Sequence, residues 1–135
     1  MHAEASRRIG HAIEAIRSIQ RTTANAPLLQ CLSDELIRSA VERQLGIVQE
    51  ALRVALLQAP ALRQAWPEMD SLLEGCARMR DWEHPVAVEE LVGFVGGDLQ
   101  VWQGWLVEGV KQQQQEGAKL DQRISENLKR LGYEF

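Results

Sequence analysis

The sequence predicts an all-α protein, an antiparallel bundle of four to five helices. Three observations predict it. Apolar residues recur at three- and four-residue steps along most of the chain. Before residue 59, proline and glycine are confined to Pro27, Gly10 and Gly46. No segment alternates apolar and polar residues as a half-buried strand would. The 135 residues fit one domain and suffice for a core without covalent staples.

Each element follows from its own pattern. Ile9, Ile13, Ile16 and Ile19 lie on one helical face, with Arg7, Arg8, Glu14, Arg17 and Arg21 off it, which predicts a first helix over Ala3 to Thr22. Pro27 then pushes Ala26 out of helical geometry. The second helix starts near Ser33, where Ser33-Asp34-Glu35 supplies a cap and first-turn acids. Its stripe is Ile37, Val41, Leu45, Val48, Leu52 and Ala55, and it ends near Gln58, before Pro60. The connection from Ala59 to Pro67 has room for a helical turn through Leu62 and Trp66. Pro67-Glu68-Met69-Asp70 opens a third helix that carries Leu72, Leu73, Cys76 and Met79 and stops by His84, ahead of Pro85. The fourth begins near Val86, with Val88, Leu91, Val92, Val95, Leu99, Trp102, Leu106 and Val110 as its stripe. Gly96-Gly97 inside it permits a kink or a close helix contact. Residues 1–110 thus form the bundle. Residues 111–135 begin with a glutamine-rich stretch too polar for a core. Leu120, Ile124, Leu128 and Leu131 then resume a stripe, as a fifth helix of the same domain or as a dimer or partner contact.

Composition narrows the function. The formal net charge of -4 excludes a general nucleic-acid coat protein but leaves room for a local basic site. Arginine far outnumbers lysine, and its planar fork suits carboxylate and phosphate. No run long and apolar enough to span a membrane is present, and the N-terminus lacks a signal-peptide core, so a cytoplasmic protein is expected. Cys31 and Cys76, far apart in sequence, are expected as packed thiols in a reducing compartment. No phosphate-binding glycine loop, zinc spacing or hydrolase elbow occurs, which points to no cofactor and no metal.

One segment concentrates chemistry: Gly75-Cys76-Ala77-Arg78-Met79-Arg80-Asp81-Trp82-Glu83-His84-Pro85. Arg78 and His84 stand roughly 120° apart on a continuous helix, and an unwound last turn lets His84 swing toward Arg78. Arg80 and His84 share a face at four-residue spacing. The plain alternative is a solvated, salt-bridged helix end with His84 capping the last carbonyls. Glu42, Arg43, Glu50 and Arg53 read as surface salt bridges, Trp102 and Trp105 as core or dimer packing, and His11 as exposed.

The chain resembles the HepT-like branch of the HEPN superfamily over about residues 9–110. The resemblance lies in the opening stripe from Ala12 to Ile19. It lies also in Ser33-Asp34 followed by the segment Ala40 to Leu52, in the connection from Pro60 to Pro67, and in Arg78-x5-His84. It implies an antiparallel HEPN-like bundle that forms a homodimer, with motifs from two subunits facing a shared cleft. It further implies a toxin that is a metal-independent endoribonuclease, with RNA as substrate and an MntA-like nucleotidyltransferase antitoxin as partner. His84 would be the acid and base and Arg78 the phosphate clamp, with Arg80 assisting. This pairing suits RNA cleavage. Imidazole exchanges protons near neutrality, and guanidinium stabilises the charge gained by phosphorus oxygens in the transition state. The sequence departs from the tighter Arg-Asn-x3-His-x-Tyr pattern: Met79 follows Arg78, and Val86 fills the tyrosine slot that such antitoxins modify. Gln49 stands where the family more often has glycine. These departures motivate an alternative, a catalytically degenerate module that binds a nucleotidyltransferase or a nucleotide.

Overall fold

The computed structural model describes residues 3–132, with side chains outside 113–121. Among the described residues every regular element is helical. The elements are α1 (Ala3–Thr22), α2 (Leu28–Ser33), α3 (Glu35–Gln58), α4 (Leu62–Ala65), α5 (Met69–Met79), α6 (Val88–Gly93), a π-helical turn (Phe94–Asp98) and α7 (Leu99–Arg130).

The long pair α1 and α3 carries the most extensive packing in the molecule. The two helices are joined at one end through α2, while Arg8 near the start of α1 lies beside Glu50 near the end of α3, so they run antiparallel. Ile9, Ile16 and Ile19 of α1 and Val41, Leu45, Val48 and Leu52 of α3 are fully buried, the stripes that periodicity predicts. Leu72 and Cys76 of α5, Leu91 of α6 and Leu99 of α7 complete the same core. Gln20 and Gln103 bond side chain to side chain at 2.7 Å, tying α1 to α7.

α3 starts beside Ser33 as expected, and its cap is Asp34. It stands in extended backbone, and its Oδ1 accepts from the N–H groups of Leu36 at 2.9 Å and Ile37 at 3.2 Å. Asp34→Ala is expected to cost about 1 kcal/mol in a denaturant titration. Between Thr22 and Asp34 the chain forms an additional short helix, α2, whose Cys31 and Leu32 are buried.

Two boundaries differ from the sequence reading, at the end of α5 and in the glutamine-rich stretch. α5 stops at Met79, several residues ahead of His84, because Asp81 turns the chain. Its Oδ1 accepts from the backbone N–H of Glu83 at 3.0 Å and of His84 at 3.1 Å. The Gly96-Gly97 pair lies inside a π-helical turn, and backbone angles at its flanks stay helical, so helical backbone runs without a break from Val88 to Arg130. A Cβ at Gly96 would lie 2.8 Å from Leu28, so Gly96 serves the expected close contact, while a Cβ at Gly97 would meet nothing within 4 Å. The glutamine-rich stretch does not break α7. Gln, Glu and Lys are good helix formers. At the far end Ile124 and Leu131 are exposed. No described helix is long and apolar enough to cross a membrane.

Candidate functional site

The end of α5 divides the two arginines. Residues two apart on a helix point about 200° apart. Arg78, on the last turn, is ion-paired with Glu90 of α6. Arg80, the residue that closes α5, turns the other way, onto α3. Its guanidinium rests over Gly46, where a Cβ would approach Cζ and Nη2 to 2.8 Å. Its Nη1 donates to Gln49 Oε1 at 3.2 Å. Its Nε is buried without a hydrogen-bond partner among the described residues.

His84 sits on the turn that Asp81 builds. Its Nδ1 lies 3.4 Å from Asp81 Oδ2, and the side chain is 81% exposed. The His84 backbone N–H, before any other influence, holds the Asp81 carboxyl below the usual carboxylate range. Asp81 therefore stays ionised through neutral pH. Its contribution to the turn is lost only on acidification, as pH falls through that lowered value. Among the described residues, no hydrogen bond or ion pair joins Arg78, Arg80 and His84 to one another. His84 and Arg80 do not share a helix face, because α5 has already ended.

Arg80 lies in the wall of a cleft of about 700 Å³ between α1 and α3. Arg8 and His11 enter from α1, Arg43 and Ile47 from α3, and Trp82 from the turn after α5. Sequence reasoning set His11 aside as merely exposed. The available signal was antiparallel pairing: residues equidistant from the α1–α3 connection face each other, which sets His11 near Ile47. Two carboxylates also line the cleft, and both are engaged. Glu42 pairs with Arg38 at 3.1 Å and Glu50 with Arg53 at 2.7 Å. The hydrogen bond from Arg53 holds Glu50 below the usual range, aided by Arg8.

Both cysteines are buried. Cys31 is buried and its Sγ lies 3.4 Å from the Ala26 carbonyl. Burial pushes the Cys76 thiol up to about 12, against the opposing influence of nearby Arg80. Both thiols are expected to resist iodoacetamide in the native state and react once the chain unfolds. Cys76 also makes stability fall with alkaline pH, by about 1.4 kcal/mol per unit between its unfolded and folded values, because only the unfolded thiol ionises there. Cys76→Ala removes that component of a pH–stability profile.

Among the described residues, no group of three His, Cys, Asp or Glu is placed to hold a metal ion. No family model, curated protein or solved structure matches the chain.

Proposed function

We propose that the chain is a HepT-like, metal-independent endoribonuclease that works as a homodimer. The observation that carries the reading is the turn after α5. It holds an exposed imidazole against a carboxylate and, two residues before its Trp82, anchors a guanidinium at a cleft lined with basic side chains. A carboxylate on Nδ1 orients a histidine, while Nε2 stays available for proton transfer. In the reaction, His84 takes the proton of a ribose 2′-hydroxyl. The 2′-oxygen bonds to phosphorus, the bond to the 5′-oxygen breaks, and the leaving oxygen receives a proton from an imidazolium. Arg80, with Arg78 contributed across the dimer cleft, stabilises the charge on the non-bridging oxygens. An adjacent nucleotidyltransferase would restrain such an activity as antitoxin.

The test is cleavage of RNA by purified protein in excess EDTA. His84→Ala is expected to lower the rate at least about 100-fold, the usual scale for losing acid–base catalysis. Cleavage unchanged in that variant contradicts the proposal.

A second reading has its own observation. The Arg78 guanidinium is occupied by Glu90, and Asp81 and Glu83 place negative charge beside His84. A degenerate module that only binds a nucleotidyltransferase would tolerate both. Co-purification with such an enzyme together with no RNA cleavage favours this second reading.

A further inference from the structure

The cleft between α1 and α3 has a composition that the hydrolytic chemistry alone does not require. Its rim holds the Trp82 indole, 83% exposed, which offers a free aromatic face to the cleft. Ile47, 40% exposed, adds an apolar patch to the lining. Arg8, Arg43 and Arg80 supply guanidinium groups from three separate parts of the fold. The carboxylates of Glu42 and Glu50 are each tied to an arginine outside that lining, Arg38 and Arg53. Arg8 is shared with Glu4 at 3.1 Å, which leaves Arg43 and Arg80 as the guanidinium groups with no carboxylate in contact among the described residues. A flat π-surface beside cations spread along a groove matches single-stranded nucleic acid, whose bases stack and whose phosphates repeat.

We propose that this cleft is a nucleotide subsite for single-stranded RNA, in which Trp82 stacks a base and Arg43 binds a flanking phosphate, beside Arg80 at the phosphate that reacts. The proposal rests on the reading of the chain as acting on RNA. It adds where the strand lies, with Trp82 and Arg43 as holding side chains outside the reacting groups and Arg80 as the link to the reacting phosphate. A duplex keeps its bases stacked inside and offers none to Trp82, so the subsite selects unpaired strands.

The probe is a labelled oligodeoxynucleotide of about ten residues, within the length a single-strand groove covers. It lacks the 2′-hydroxyl and cannot be cleaved by the proposed chemistry. Its binding to the full chain is read by fluorescence anisotropy at several salt concentrations, beside the same sequence as a duplex. Trp82→Ala is expected to weaken single-strand binding about tenfold, while Trp82→Phe retains most of it. Arg43→Gln is expected to weaken binding and to reduce the salt slope by about one. Both side chains are exposed, so neither change disturbs the core, and circular dichroism checks the fold. Absence of binding, equal affinity for the duplex, or unchanged affinity in both variants overturns the subsite. RNA cleavage by the wild type with unchanged binding in the variants overturns the subsite and leaves the ribonuclease reading standing. Binding that depends on Trp82 and Arg43, in a protein that cleaves nothing, supports the subsite and removes the ribonuclease reading.

Discussion

Alanine at Gly109 is expected to destabilise the protein by about 3 kcal/mol, which lowers the melting temperature by roughly 10 °C in a chain of this size. In most helices the change goes the other way, since alanine exceeds glycine by about 1 kcal/mol in helix propensity. Gly109 lies inside α7 with the indole of Trp66 directly over it, and a Cβ there would run into the ring. A flexible side chain would step aside. The indole is rigid, and its backbone N–H donates to the Leu62 carbonyl at 2.7 Å, which fixes the position of Trp66 at the end of α4. The ring must therefore leave the pocket it shares with Met69, Leu72 and Leu106. Gly104, five residues earlier on α7, is the control: a Cβ there meets nothing within 4 Å. Gly104→Ala is expected to stabilise by about 0.5–1 kcal/mol. Adding Trp66→Leu to Gly109→Ala should recover part of the loss. Melting of Gly109→Ala at or above the wild-type temperature contradicts the close contact.

Valine at Gly46 is expected to lower RNA cleavage by about 100- to 1000-fold, the range for removing one preorganised charge contact, with little change in melting temperature. The reason is local. A side chain on that turn of α3 meets the Arg80 guanidinium, with Cζ and Nη2 at 2.8 Å and Nε at 3.1 Å from the new Cβ. Arg80 is long and flexible, so it moves and the core does not. The displaced group loses its bond to Gln49 and its place in the cleft wall. Gly46→Ala should fall between wild type and valine. The measurement also separates the two arginines. If Arg78 alone clamps the phosphate, Gly46→Val cleaves as wild type does and Arg78→Ala does not.

Most of the fold was legible from periodicity, because α1 and α3 each bury one continuous stripe over about four turns. α2 escaped notice because its six residues are too few to establish a period, and Pro27 marked the place as a break. The continuity of α7 escaped for a different reason: the polarity of residues 111–117 says where a helix cannot be buried, not where it ends. In the site, the segment from Arg78 to His84 stood out at once. Which way each arginine points did not, since that depends on α5 ending at Met79 and on a missing Cβ at Gly46, far away in sequence. Gln49 shows the same limit. As a departure from a family pattern it carried no geometry, and in the fold it is the acceptor that holds Arg80.

The most direct test of the proposed chemistry is the identity of the ends left on RNA fragments produced by the purified protein in excess EDTA. Attack by the 2′-oxygen leaves a 2′,3′-cyclic phosphate on one fragment and a 5′-hydroxyl on the other. Those ends, formed by wild type and lost in His84→Ala, are the expected result. Fragments carrying 5′-phosphates, or cyclic-phosphate ends that persist at the same rate in His84→Ala, would contradict a histidine-driven, metal-independent ribonuclease.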